Sequence, residues 1–238
     1  NLYCQIPFGT MHMGNPKVQQ LAKLIGRSPG SVAYKLTNFA RLDPALKARG
    51  IKGSEHGAKG EEHVWEEFAH DPESLAFESQ LLMAQLAGQP IEQYAAIQNG
   101  DLPTEGKERE ALVRQRVNQD FFRRRVLSAY NFRCCITGIA IQPLLVASHI
   151  VPWAEDPKNR LNPRNGLCLN ALHDRAFDRG LIWIDDDLRI HYIRDLQRES
   201  DWDDAKPLVA LDGHPLKLYR GFSPDIELLK RHREKFVA

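Results

Sequence analysis

The sequence has no long hydrophobic run, few cysteines and almost no net charge, and each shortage narrows the class of protein. No stretch approaches the roughly 18 consecutive apolar residues that a membrane span needs. Only four of the 238 residues are cysteine, and Cys134 and Cys135 are adjacent, which argues against a disulfide framework. We therefore expect reduced thiols in a soluble, cytoplasmic protein that does not act at a membrane.

The composition is that of an ordinary globular protein, with 42% hydrophobic and 26% charged residues. A formal net charge of +1 decides nothing about nucleic acid, because binding to phosphates depends on local patches rather than on the total. The sequence begins at Asn1, and the apolar segment that follows resembles the end of an element. We expect further chain upstream.

The first clear pattern is a pair of short helices between Asn15 and Ala40, where apolar residues recur at helical spacing. Ser28 followed by Pro29 is typical of the start of the second helix. Two short helices joined by a glycine-containing turn have helix-turn-helix spacing. The side chains expected to face outward as candidate DNA contacts are Arg27, Ser31, Lys35 and Asn38. Helix pairs of this kind are also common packing units, so both interpretations stay open.

Two segments rich in glycine and polar residues interrupt the helical patterns. Residues 50–60 indicate a surface loop, and helical patterns resume at 61–69 and 72–87. The predicted division is a helical module at 1–88, a linker at 89–106 and a second domain at 107–238 with its core at 132–193.

The second domain is predicted to open with a long helix from Lys107 to Tyr130. This segment carries seven basic residues against three acidic ones. Solvated helix faces often have such a charge pattern. Its position directly before the segment described next also makes contact with nucleic acid a reasonable hypothesis.

Polar residues that could take part in catalysis lie at the ends of two short predicted strands. The apolar run 143–147 leads into Ser148 and His149, and an irregular polar stretch follows at 154–164. Asn165 and a glycine then lead into a second strand at 167–169. After it, Asn170 can cap a helix that carries His173. The order is strand, loop, strand, helix.

This arrangement resembles the HNH, or ββα-metal, nuclease family. The matching segments are Ser148-His149-Ile150, Asn165-Gly166-Leu167, Leu172-His173 and Phe177-Asp178-Arg179-Gly180. The prokaryotic restriction-type members also look similar around Ile25 to Pro29. The resemblance implies an α+β protein in which an N-terminal helical DNA-binding module precedes an HNH nuclease domain.

The resemblance assigns catalytic roles to His149, Asn165 and His173. A neutral imidazole is a suitable base for activating water at physiological pH, and this role falls to His149. His173 is the expected metal ligand, and Asn165 is expected to pin the loop that aims the base. One divalent ion is implied, Mg²⁺ or Mn²⁺, because oxygen ligands, waters and substrate phosphate suit these ions.

Two features depart from the family pattern. Many relatives have an acidic metal ligand directly before the base, where this chain has Ser148. Helical geometry is expected to point Asp174 away from the site and to make Asp178 a structural cap. The paired Cys-x-x-Cys motifs of zinc-binding relatives are also incomplete, so no structural zinc is expected.

The remaining features are expected to support the site. Arg175 and Arg179 on the site helix are candidates for the phosphates beside the scissile bond, or equally ordinary surface charges. A β-hairpin is predicted from Leu181 to Ile193, followed by a C-terminal helix at 224–236. The other histidines lack such a context and are interpreted as structural or surface residues.

The sequence thus predicts a divalent-metal-dependent HNH endonuclease that hydrolyses DNA, in restriction or defence. The first alternative is an inactive DNA-binding protein that keeps the fold, because Ser148 stands where an acid is expected. The second is a module whose N-terminal helices bind protein. A homodimer is compatible with the prediction, since one HNH site cuts one strand and a double-strand break needs two cuts.

Overall fold

The computed structural model describes residues 1–51, 57, 59–98, 102–103, 105–193, 210–219 and 221–236. Most of the surface loop predicted at 50–60 lies outside the described residues. The helices are α1 Leu2–Gln5, α2 Pro16–Leu24, α3 Pro29–Ala40, α4 Pro44–Ala48, α5 Lys59–Phe68, α6 Pro72–Leu86, α7 Ile91–Tyr94, α8 Lys107–Ala129, α9 Ala171–Asp178 and α10 Ile226–Arg233. The strands are β1 Leu145–His149, β2 Gly166–Asn170, β3 Ile182–Ile184 and β4 Ile190–Tyr192.

The described residues confirm an α+β protein, with helices in the N-terminal part and small antiparallel sheets in the C-terminal part. The chain divides into two compact units, Asn1–Phe121 and Phe122–Ala238. The short helix α7 lies within the predicted linker, and the linker itself stays a prediction. None of the helices in the described part of the chain combines the length and hydropathy that a bilayer crossing needs.

In the first unit, α2 and α3 begin where the sequence predicts. The Asn15 side chain accepts a hydrogen bond from the backbone N–H of Lys17, and Ser28 Oγ accepts one from Ser31 N–H at 3.2 Å. Proline occupies the first turn of both helices, where its missing N–H costs no hydrogen bond. A small core lies between them and α1, formed by Ile6, Val18, Ala22, Val32 and Leu36.

The expectation that Asn38 faces outward was wrong. Its side chain is only 2% exposed, and its amide nitrogen donates to Glu61 Oε1 at 2.9 Å. The same carboxylate forms an ion pair with Lys35. Helix α5 packs on this side of α3, which the spacing within α3 alone does not reveal. Arg27 and Ser31 are exposed, as expected.

In the second unit, β1 and β2 form an antiparallel hairpin in which His149 pairs with Gly166. The first strand begins at Leu145, two residues later than predicted, because residues 142–144 around Pro143 form a 3-10 turn. A proline there cannot donate to a strand ladder. β2 is buried along its whole length. Because β2 is buried, the hairpin packs against the core of the second unit.

Helix α9 packs against β1, β2 and β3, and α10 packs against β3. The side chain of Asn170 caps α9 by accepting from the backbone N–H of His173 at 3.0 Å. β3 and β4 pair as the predicted hairpin. The C-terminal helix is shorter than predicted, and it begins after Asp225, which caps it. These elements pack around the β1–β2 hairpin and its neighbouring strands.

Candidate active site

His149 ends β1 and lines an open cleft. Its Nε2 lies 3.0 Å from the backbone carbonyl oxygen of Arg160. A carbonyl oxygen only accepts, so Nε2 carries the hydrogen and Nδ1 keeps its lone pair. Burial lowers the pKa of His149, and the hydrogen bond to Arg160 opposes this effect in part. The imidazole is therefore neutral near pH 7, as a general base must be.

Two aromatic side chains enclose the His149 ring. Phe122 on α8 stacks on its face, with ring centroids 3.7 Å apart and an interplanar angle of 10°. Trp153 meets it edge-on at 5.7 Å and 89°, and the guanidinium of Arg160 lies 5.3 Å from the Trp153 ring. The His149 ring is thus held by these two rings as well as by its Nε2.

Asn165 is fully buried at the turn before β2. Its Oδ1 accepts from Val151 N–H at 2.9 Å, and its Nδ2 donates to the carbonyl oxygens of Val151 at 3.1 Å and Asn159 at 3.2 Å. These hydrogen bonds tie the segment after His149 to the start of β2. The side-chain amide therefore fixes the backbone directly after His149.

His173 lies on the first turn of α9, and its side chain is 3% exposed. Its Nδ1 lies 3.0 Å from Asn170 Oδ1, which accepts, so the hydrogen sits on Nδ1. The remaining nitrogen, Nε2, is buried without a hydrogen-bond partner among the described residues. Burial lowers the pKa of His173 and keeps this lone pair free. Ser148 Oγ is likewise buried without such a partner.

The cleft has a volume of about 600 Å³ and joins the end of β1 to the exposed side of α9. Its lining residues are Val146, Ala147, Ser148, His149, Pro152, Trp153, Asp174, Arg175, Asp178 and Arg179. Two arginines and two carboxylates from α9 and its C-terminal cap therefore share the cleft with His149. His173 is not among the lining residues, so the structure places it beneath the surface rather than beside His149 in the opening.

The expectation that Asp174 points away from the site was wrong, because Asp174 lines the same cleft as His149. His173 turns its ring toward its cap, Asn170, and the next residue along α9 takes the cleft side. Asp178 follows one turn later on this side, where α9 ends. Trp153 was also missed, although its place four residues after His149 was a usable signal. No sequence pattern near His149 indicated Phe122, because Phe122 lies on α8, which is distant in sequence.

A divalent ion fits part of this donor set. An unpartnered imidazole nitrogen in a buried position is what a metal ligand requires, and His173 supplies one. Asp174 and Asp178 carry the oxygen donors that Mg²⁺ and Mn²⁺ prefer, but they line the cleft, whereas His173 does not. In the part of the chain that the structure describes, no three His, Cys, Asp or Glu side chains gather as a closed metal site.

The comparisons with known proteins place this segment. Residues 134–185 match the family described as HNH endonuclease. No curated protein matches the chain. Among solved structures, a modification-dependent TagI restriction endonuclease is similar with a TM-score of 0.37 and 19% identity, over 49% of this chain and 38% of that one. The similar region thus spans about two fifths of that protein. The family match covers β1, β2, α9 and β3 and includes His149, Asn165 and His173.

Proposed function

We propose that this protein is a divalent-metal-dependent endonuclease that hydrolyses phosphodiester bonds of DNA, in restriction or defence. His149 is the general base, His173 is a metal ligand and Asn165 positions the loop that carries the base. The observation that supports this best is the state of His149. Its Nε2–H is engaged with Arg160, which leaves the lone pair of Nδ1 as the free basic atom of a cleft-lining side chain.

The chemistry follows from this arrangement. Nδ1 of His149 takes a proton from a water molecule as the water oxygen attacks phosphorus. The bond from phosphorus to the leaving oxygen breaks, and that oxygen is protonated from solvent. Arg175 and Arg179 contact the phosphates beside the scissile bond, since both line the cleft. His173 would help to hold a divalent ion, and such an ion would supply charge stabilisation for the phosphoryl group and the leaving oxygen.

Contacts of the N-terminal unit with DNA are a separate part of the proposal. Arg27 and Ser31 are exposed and are its strongest candidates. The Lys35 side chain is 55% exposed but already pairs with Glu61. Asn38 does not belong to this set, because it is buried and bonded to Glu61. The proposed recognition surface is therefore centred on the start of α3 rather than on its end.

The test is plasmid cleavage with Mg²⁺ or Mn²⁺, on DNA with and without base modification. We expect the wild type to cut, and both His149→Ala and a chelator to abolish cutting while the variant still binds DNA. His214→Ala is the matched control, because His214 is exposed in the same unit and does not line the cleft. Cutting that survives His149→Ala overturns the assignment of the base. DNA binding without cutting of any substrate supports an inactive DNA-binding protein instead.

A role for His173 in metal binding has its own measurement. Mn²⁺ titration by calorimetry is expected to give one site in the wild type, with affinity reduced at least about tenfold in His173→Ala. Because His173 is buried, the thermal unfolding of the variant is compared in parallel to separate loss of the ligand from loss of the fold. Unchanged Mn²⁺ affinity in a folded His173→Ala variant refutes the ligand role.

A further inference from the structure

Two contacts fix the ring of His149. One is the hydrogen bond from Nε2 to the Arg160 carbonyl, which fixes one atom of the ring. The other is the parallel contact with Phe122, a side chain that is 2% exposed and comes from α8, before the matched segment begins. A single hydrogen bond still lets a ring rotate about it. A flat surface at van der Waals distance removes that rotation.

The packing around Phe122 allows this contact because Gly166 has no side chain. His149 pairs across the hairpin with Gly166, and a Cβ at that glycine would lie 2.9 Å from Phe122 Cζ. The hairpin therefore has no side chain at the position facing α8. Because no side chain at Gly166 stands between α8 and the hairpin, Phe122 can stack on the imidazole of His149 at the end of β1.

We propose that Phe122 is a positioning residue for the base. It sets the plane of the His149 ring, so that the free Nδ1 lies in one direction in the cleft. Trp153 closes the ring from its edge, at 5.7 Å. The inference rests on the proposed function, because it concerns the same base. It adds that the catalytic geometry is completed by α8, which lies outside residues 134–185.

The alternative role for Phe122 is plain core packing, and the chain offers a matched control for it. Val126 lies one turn further along α8, is fully buried, and approaches the same glycine within 2.5 Å of where its Cβ would be. The aromatic rings that pack on His149 are those of Phe122 and Trp153. Val126→Ala thus perturbs the packing against Gly166 while both of these rings stay in place.

The test compares Phe122→Leu with Val126→Ala, with Phe122→Met as a second variant if the first does not fold. Leucine and methionine keep apolar volume but lose the flat ring. We expect Phe122→Leu to lower kcat by about tenfold or more with KM and DNA affinity near wild type, since only the aim of the base changes. Val126→Ala is expected to keep kcat within about twofold at a similar loss of thermal stability.

A second readout does not depend on cleavage. The ¹⁵N chemical shifts of the His149 imidazole, assigned with a His149→Gln variant, report its tautomer and hydrogen bond. In the wild type we expect one Nε2–H tautomer, and in Phe122→Leu a mixture of the two. Wild-type shifts and kcat in Phe122→Leu, or an equal kcat loss in Val126→Ala, overturn the positioning role. A wild type that never cuts overturns the proposed function, and the shifts still decide whether Phe122 positions the ring.

Discussion

Asn165 and Val151 form a reciprocal pair in which one side-chain amide satisfies both backbone groups of a single residue. Oδ1 of Asn165 accepts from Val151 N–H at 2.9 Å, and its Nδ2 donates to Val151 carbonyl oxygen at 3.1 Å. Both residues are completely buried. A segment that leaves a strand end has unpaired backbone groups, and in this chain one side chain takes the place of a neighbouring strand.

Substitution of Asn165 is expected to affect stability and cleavage together. Asn165→Ala leaves the buried N–H of Val151 without an acceptor, which costs about 1–3 kcal/mol of unfolding free energy. Asn165→Asp keeps the acceptor but turns a carboxylate oxygen toward the carbonyls of Val151 and Asn159, so we expect a larger loss. Denaturant unfolding and single-turnover cleavage measure both effects. An aspartate variant as stable as the wild type contradicts an amide whose Nδ2 donates to these carbonyls.

The order of elements around the site could be predicted because its signals are local. The capping residue Asn170, the apolar run before His149 and the turn at Asn165 each act on their immediate neighbours. Strand ends and helix starts therefore came out within a few residues. The chemistry assigned to these residues followed from the resemblance to a nuclease family, which the match over 134–185 supports.

What could not be predicted depends on contacts between distant parts of the chain. Asn38 is buried because α5 supplies Glu61 to it, and helical spacing in α3 holds no information about α5. Asp174 lines the cleft because His173 turns toward the interior, which a helical wheel without a cap does not indicate. The stack of Phe122 on His149 joins residues 27 positions apart.

The pH dependence of cleavage is expected to report the burial of His149. Burial disfavours the charged imidazolium and lowers the pKa of His149 below its ordinary value of 6.5. In the proposed mechanism the neutral form is the base, so the rate is expected to be constant above that pKa and to fall as pH drops through it. Single-turnover rates between pH 5 and pH 8 are expected to have an acidic midpoint below 6.5. A midpoint above 7 contradicts a buried neutral base.

His232 is expected to make the second unit sensitive to acid for the same reason. It is 5% exposed, stacks on Phe177 at 3.7 Å, and burial lowers its pKa to about 4. As pH falls below about 6.5, His232 is protonated in the unfolded chain but stays neutral in the folded one. The free energy of unfolding therefore decreases as pH falls from about 6.5 to about 4. The contribution is about 3 kcal/mol at most.

His232→Gln removes this titration while keeping an N–H donor for the carbonyl of Phe177, to which His232 Nε2 donates in the wild type. We expect the variant to be less stable than the wild type at pH 7.5, because the stack is lost. Its further loss between pH 6.5 and pH 4.5 should be smaller. Denaturant midpoints at these pH values measure both. Equal pH slopes in the two proteins rule out His232 as the source.

Arg175 and Arg179 are expected to act on DNA affinity rather than on the fold. Both are exposed and line the cleft, so alanine at either position leaves the core intact. Each phosphate contact that is lost reduces the salt dependence of binding by about one unit of slope. Arg133→Ala is the control, because Arg133 is exposed in the same unit outside the cleft. Unchanged salt slopes in both cleft variants make these arginines ordinary surface charges.

A substitution at Gly166 tests whether α8 packs directly against the hairpin. Its backbone is extended, with φ −138° and ψ 145°, so any residue could adopt the conformation and only space excludes a side chain. An added Cβ would lie 2.5 Å from Val126 Cγ2 and 2.9 Å from Phe122 Cζ. We expect Gly166→Ala to cost about 1–3 kcal/mol through overpacking, with a larger effect on cleavage because Phe122 must move off His149.

The double variant Gly166→Ala with Val126→Ala separates this explanation from a general weakness of the strand. Removing Cγ2 of Val126 opens the closest contact, so the new methyl fills space that the smaller side chain vacates. The double variant should then lose less unfolding free energy than the two single losses added together, by about 0.5–3 kcal/mol. Strict additivity, measured by denaturant unfolding of all four proteins, means that α8 does not press on Gly166. The stack of Phe122 on His149 then loses its structural basis as well, because both contacts depend on the same approach of helix to strand.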